Sequence, residues 1–119
     1  MKQKNPESSN AGYFFISSNK ILRVVKEDEI LYLKSEDCYT WIYLVDQSSY
    51  FMCGTLKKHE KKLTKKHFFR CHKSFLVNRS FIRESHSGNI HKLILTNGDE
   101  IPMARRRFRF YRKELKPFK

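Results

Sequence analysis

Tyr39-Thr40-Trp41-Ile42-Tyr43-Leu44-Val45, then Asp46-Gln47-Ser48-Ser49, then Tyr50-Phe51-Met52-Cys53, read as strand, turn and strand. The first run is β-branched or aromatic almost throughout, the composition that a pleated, half-buried surface favours. Asp and Ser in the turn can hydrogen-bond their own backbone. Gly54-Thr55 stops the second strand, and Thr55 stands where a helix N-cap belongs.

Outward from this hairpin, the pattern stays mostly β. Upstream, residues 13–16 are an aromatic-rich strand, Ser17-Ser18-Asn19 a turn, and 20–25 a second strand whose apolar residues are Ile21, Leu22, Val24 and Val25. Glu27-Asp28-Glu29 is an acidic connector of one helical or 3₁₀ turn. Residues 30–33 are a continuous apolar run, a strand buried on both faces. Downstream, residues 56–63 have helical spacing, with Leu56, His59 and Leu63 on one face and Lys57, Lys58, Lys61 and Lys62 outside. Residues 68–72 are extended, and Phe75-Leu76-Val77 is a buried turn leading into another strand. Residues 79–84 and 90–95 flank a hairpin turn, Ser85-His86-Ser87-Gly88-Asn89. Asn97-Gly98 is the strongest hairpin signal and joins 92–96 to 100–103. Residues 105–115 form a last helix, with Phe108, Tyr111 and Leu115 on one face and Pro117 ending it. The expected architecture is therefore mainly β, with a short central helix and a C-terminal helix. Residues 1–12, with Pro6, Ser8, Ser9 and Asn10, read as a flexible polar tail, and 13–116 as the domain.

A chain of 119 residues, 39% hydrophobic, supports one domain. No apolar run approaches the ~18 residues of a membrane span, and the first 20 residues contain no signal-like apolar stretch. The expectation is a cytoplasmic protein with no membrane partner. Cys38, Cys53 and Cys71 are odd in number and lack CxxC spacing, which argues against a disulfide framework. They read as fillers of small, semi-buried slots. Cys71, between Arg70 and His72-Lys73, has a second reading as a reactive thiolate. GxSxG, P-loop, HExxH and GxGxxG motifs are absent, and the five histidines lack zinc spacing. No enzyme activity, metal or cofactor is expected.

Charge is the informative property. The chain carries +13, with a pI near 9.9, above the value of about 9 that marks nucleic-acid-binding domains. Residues 1–55 hold six Lys and Arg against seven Asp and Glu, a net −1, so residues 56–119 carry +14. Positive charge confined to one half draws a polyanion to that half. Two elements concentrate it. Arg105-Arg106-Arg107-Phe108-Arg109, with Arg112 and Lys113, opens the last helix, where cations oppose the macrodipole unless an anion neutralises them. Guanidinium forks match phosphate oxygens and guanine edges. The plainer alternative is that these arginines splay into solvent or pair with the acidic 27–29 turn. In the second element, the donors Arg70, His72, Lys73 and Ser74 precede the apolar Phe75-Leu76-Val77, which would put donors on a loop held rigid by the core. His72 reads equally well as a capping or core histidine, and Asn78 as a residue bonding the backbone of its turn.

These residues resemble the LytTR DNA-binding domain, the output module of many bacterial response regulators. Phe69-Arg70-Cys71-His72-Lys73-Ser74-Phe75-Leu76-Val77-Asn78 is similar to its F-x-R-x-H-[RK]-S-[YF]-L-V-N signature, with one residue fewer before the Arg. Asn97-Gly98 with Ile101-Pro102-Met103-Ala104-Arg105-Arg106 resembles the closing N-G-x-x-[IL]-P-V-S-R-R segment. Glu29-Ile30-Leu31-Tyr32-Leu33 with Tyr39-Thr40 resembles the opening, and Thr55 to Leu63 the T-L-K-x-L-E-x-x-L helix. The motifs run in order from about residue 20 to 110.

The resemblance implies an elongated fold of small antiparallel β-sheets that holds double-stranded DNA by loops in successive major grooves, usually bending it. Carried over, the contacts are Tyr39 and Thr40, the His72-Lys73-Ser74 turn, and Arg105 and Arg106, with Arg70 and Arg107 as phosphate partners. Three positions depart from the pattern: Ala104 replaces Ser, Cys38 replaces Asn, and His59 stands at an apolar helix position. A length of 119 residues leaves no room for a phosphoacceptor receiver domain, so the expectation is a stand-alone DNA binder or a fragment. The reading is a sequence-specific transcriptional regulator, monomeric in solution or a weak dimer on tandem repeat sites. The alternative is a LytTR-like adaptor that binds another regulator and has only non-specific DNA affinity. A third reading, an RNA-binding β domain, needs strand aromatics on the surface, where the pattern puts them mostly in the core.

Overall fold

The computed structural model describes residues 12–114, with side chains as far as Arg109 in the last helix. The expected 1–12 tail therefore lies outside the described residues, apart from Gly12. In chain order the elements are β1 (Tyr13–Ser18), β2 (Ile21–Lys26), a 3₁₀ turn (Glu27–Glu29), β3 (Ile30–Glu36), β4 (Tyr39–Leu44) and β5 (Ser49–Cys53). Then follow α1 (Leu56–Glu60), β6 (Phe68–His72), β7 (Phe75–Asn78), a second 3₁₀ turn (Arg79–Phe81), β8 (Ile82–His86), β9 (Lys92–Leu95), β10 (Glu100–Pro102) and α2 (Arg105–Glu114). The strands form a two-stranded sheet β1-β2, a five-stranded sheet β5-β4-β3-β7-β6 and a three-stranded sheet β10-β9-β8. All pairings are antiparallel. The molecule is elongated, 49 × 31 × 24 Å.

The five-stranded sheet is the middle layer, with a core on each face. On one side Ile30, Leu33, Ile42, Leu44, Met52 and Leu76 pack against Phe14, Ile16 and Val25 of the β1-β2 hairpin and against Leu56 and Leu63. On the other, Leu31, Tyr32, Phe69, Cys71 and Val77 meet Ile82, Leu93, Leu95, Ile101 and Met103. A register shift between Ile30 and Tyr32 lets Leu31 and Tyr32 both join the second core. This is why the 30–33 run is apolar at every position, as read from the sequence: all four residues are buried. Each fully buried Leu or Ile stabilises the fold by about 1.5–3 kcal/mol.

Several details differ from the sequence reading. Phe75-Leu76-Val77, read as a buried turn, is itself strand, with the turn at Lys73-Ser74, and Cys38 and Cys53, read as semi-buried, are exposed. The helix read over 56–63 stops at Glu60, and its continuation tightens into i→i+3 turns (Lys62 N to His59 O, Leu63 N to Glu60 O). Lysines 57, 58, 61 and 62 are like charges at helical neighbour spacing, which disfavours a longer helix. In β2, Val25 is buried while Leu22 and Val24 are exposed, because a two-stranded sheet covered on one face leaves its other face to solvent. Ile21, on the same face as Val25, is exposed where the strand begins at the 19–20 turn. Asn97-Gly98 does turn β9 into β10, but as a longer loop. The Gly98 amide donates to the Leu95 carbonyl and Gly98 takes φ +96°, the left-handed residue that follows a type I turn.

Candidate nucleic-acid interface

The turns at one end of the five-stranded sheet carry most of the residues singled out above. β3 turns into β4 through Asp37-Cys38, with Glu36 paired to Tyr39. β6 turns into β7 through Lys73-Ser74, with His72 paired to Phe75. Lys34 pairs with Phe75, so both turns leave the sheet at the same end. The Ser35 amide donates to the Ser74 carbonyl at 2.9 Å and ties them together. The start of α2 is fixed beside them, because the Ala104 amide donates to the Cys71 carbonyl at 2.9 Å. Phe108 holds the helix down by stacking on His91, ring centroids 4.2 Å apart. The fold thus brings Tyr39, His72, Lys73, Ser74 and Arg105 to Arg107 to one end. Of the other two residues of the helix face read from sequence, Leu115 and the Tyr111 side chain lie outside the described residues.

Each residue has a distinct setting. Tyr39 is 42% exposed, its ring stacked on Phe51 at 4.9 Å. Lys73 is exposed and Ser74 half-buried. The His72 Nδ1 accepts from the Ser74 amide at 3.1 Å, and its ring edges against Phe75. With Nδ1 accepting, the neutral ring carries its proton on Nε2, as a donor. Partial burial, then Lys73 and Arg70, hold its pKa below the ordinary value. Arg105, Arg106 and Arg107 are exposed, and no carboxylate among the described residues pairs with them. The alternative pairing with the acidic turn is not what the fold makes. Glu27 is buried, accepting from Thr64 N and Oγ1 and bridged to His67 Nδ1 at 2.9 Å. Glu29 accepts from the Lys26 amide.

Two expected contacts sit elsewhere than on the surface. Thr40 is fully buried, and its hydroxyl donates to the Gly54 carbonyl at 2.9 Å. The alternation along β4 that exposes Tyr39 must turn Thr40 inward. Arg70 has a side chain only 19% exposed and is engaged by Glu60 and two main-chain carbonyls. Cys71 is likewise a filler: it is buried, and desolvation pushes its thiol up to about 12 despite Arg70 and Arg107 nearby.

The sequence reading missed a row of rings. Tyr39, Phe51, Trp41, Tyr43, Tyr32, Phe75 and His72 contact one another in succession, at centroid separations of 4.6–6.2 Å. The row crosses the sheet from one turn to the other. Its signal was the aromatic at every second position of β4, 39, 41 and 43, which shares one face. Beyond the turns, Lys57, Lys58, Lys61 and Lys62 on and after α1 are exposed and add long-range positive potential. Among the described residues, no group of His, Cys, Asp and Glu could hold a metal ion, and no helix is long and apolar enough to cross a membrane.

Comparison with known proteins agrees with this geometry. The chain is 35% identical over 99 residues to the sensory transduction protein LytT of Enterococcus faecalis, covering 82% of this chain and 40% of that one. It is 33% identical to the LytT protein of Bacillus subtilis (92% and 45% covered) and 30% identical to the transcriptional regulatory protein YpdB of Escherichia coli K12 (93% and 50%). The chain spans half the length, or somewhat less, of these relatives. Its fold matches the LytTr DNA-binding domain of a putative methyl-accepting/DNA response regulator from Bacillus cereus. That match has a TM-score of 0.76 at 24% identity and covers 87% of this chain and 96% of that one. The sequence model of the LytTr DNA-binding domain matches residues 20–116, and the chain belongs to that family.

Proposed function

We propose that this chain is a sequence-specific, double-stranded-DNA-binding regulator of transcription that reads the major groove through turns. The observation that carries the reading is the gathering of three donor-bearing segments at one end of a rigid sheet, with Arg105, Arg106 and Arg107 there unpaired by any described carboxylate. The contacts are Tyr39 at the β3-β4 turn, His72, Lys73 and Ser74 at the β6-β7 turn, and Arg105 to Arg107 at the start of α2. Donors held by a folded core can discriminate base edges, and surplus cations supply affinity for phosphates. Two copies would sit on tandem repeat sites without an extensive interface between them.

Arg106→Ala tests the assignment. It should cost about 1–3 kcal/mol of binding to a selected duplex and relax base preference at one position. Affinity and preference both unchanged would remove Arg106 from the interface. The adaptor reading keeps one observation in its favour: Tyr13, Phe15, Leu22 and Val24 present an exposed apolar face on the β1-β2 hairpin. It predicts DNA binding without sequence preference.

A further inference from the structure

We propose that Arg70 does not touch DNA. Held by Glu60, it is a positioning residue that sets the shape of the Lys73-Ser74 turn. The inference rests on the DNA-binding reading above and changes the role of one residue within it.

All three guanidinium nitrogens of Arg70 are engaged. Nε donates to the His72 carbonyl at 3.1 Å, Nη2 to the Lys73 carbonyl at 2.6 Å and Nη1 to Glu60 Oε1 at 2.6 Å. The guanidinium is a rigid planar fork, so bonding two successive carbonyls fixes the orientation of both peptide planes. Those planes aim the Lys73 side chain and the Ser74 amide. The rest of the turn is held as well: the Ser74 amide donates to His72 Nδ1, and the Ser74 carbonyl accepts from the Ser35 amide. A two-residue turn is thereby fixed at four backbone groups, and Arg70 supplies two of the four bonds.

Glu60 completes the device. It is the last residue of α1, and its carboxylate holds the third side of the fork. A free arginine this close to a polyanion would swing toward phosphate; one engaged on three sides, with 19% of its side chain exposed, does not. Lysine cannot substitute, because a single ammonium on a flexible stem does not reproduce the planar fork. Glu60 also yields a diagnostic of sign. If charge alone mattered, removing a carboxylate from a strongly basic DNA binder would strengthen binding. If Glu60 acts through Arg70, removing it weakens specific binding.

The test measures binding of wild type, Glu60→Gln, Arg70→Lys and Arg70→Ala to a selected duplex and to a random-sequence duplex of equal length, across a salt series. Glu60→Gln and Arg70→Lys should each weaken the selected duplex about tenfold, the effect of losing one charge-assisted hydrogen bond. The random duplex should change less than about twofold, and the salt slope should stay as in wild type, because no phosphate contact is lost. The backbone amide resonances of Lys73 and Ser74 should move in Glu60→Gln while those of β8 to β10 stay in place. Should Arg70→Ala fail to fold, the two conservative variants still decide the matter. The proposal is overturned if Arg70→Lys binds both duplexes like wild type, or if Arg70→Ala weakens both equally and lowers the salt slope by about 0.9. A gain in affinity for both duplexes in Glu60→Gln also overturns it. Wild-type protein that does not distinguish the duplexes would bring down the DNA reading itself, an outcome separate from all of these.

Discussion

His72 uses Nδ1 to accept from the Ser74 amide, so the turn that presents Lys73 requires that nitrogen unprotonated. Protonation would set an N–H against an N–H at this position. Partial burial is the first cause of its lowered pKa, with Lys73 and Arg70 adding to it. The linkage follows from the sign. In the unfolded chain the ring titrates near 6.5, so as pH falls through that value the unfolded state takes up the proton first, and the fold loses stability. His59, lowered mainly by its burial, contributes in the same direction. Ring resonances in the free protein should give His72 a midpoint below 6.5, with the Ser74 amide shifting at the same midpoint. A midpoint above 6.5 would mean that Nδ1 does not accept. At this scale the sequence was only partly legible. It showed that residues 70–74 were rich in donors, but not which donors the turn itself uses. Arg70 and His72 look alike in a string of polar residues and differ only through Glu60 and the Ser74 amide, ten residues before the one and two after the other.

At the scale of elements, α1 is short and depends on how it begins. Thr55 Oγ1 accepts from the Lys58 amide at 3.2 Å, which satisfies one free donor of the first turn. Gly54 before it takes φ +105°, and a Cβ there would lie 3.0 Å from His59 Nε2, which is bonded to the Cys53 carbonyl. Thr55→Ala should therefore cost about 1 kcal/mol in chemical denaturation. Gly54→Ala should cost more, about 1–3 kcal/mol, through backbone strain and displacement of the His59 ring. The reverse order would contradict this description of the helix start. Such local signals were readable in advance: the cap at Thr55, the hairpin at Asn97-Gly98 and the continuous burial of 30–33. Asn78 was also read as bonding backbone, and it does: its Nδ2 donates to the Glu27 and Ile30 carbonyls and its Oδ1 accepts from the Ser80 amide. The exposed β2 face was not readable, because periodicity reports which residues share a face and not whether another layer covers it.

At the scale of the molecule, two cores on opposite faces of one sheet give a rigid frame. Lys73 and Arg105 to Arg107 of the basic second half border one of its ends, while Lys65, Lys66 and Arg79 lie toward the other. α1 reaches β6 through Glu60 and Arg70, and α2 starts beside Cys71 of the same strand, with Arg107 near it. Charge counted along the chain revealed the excess but not this convergence, which depends on the pairing of β3 with β7 and on the bond from Ala104 to Cys71. Order of the motifs gave the fold, while their meeting point is a property of the folded chain alone. The central claim is that this end reads base sequence and does more than attract phosphate. Selection of binding sites from random duplex DNA at near-physiological salt tests it most directly, since charge alone then supports only weak, non-specific binding. The account predicts an enriched motif, present as half-sites about one helical turn apart. Recovery of bound DNA with no enriched sequence would contradict it and leave the basic face without a reading function.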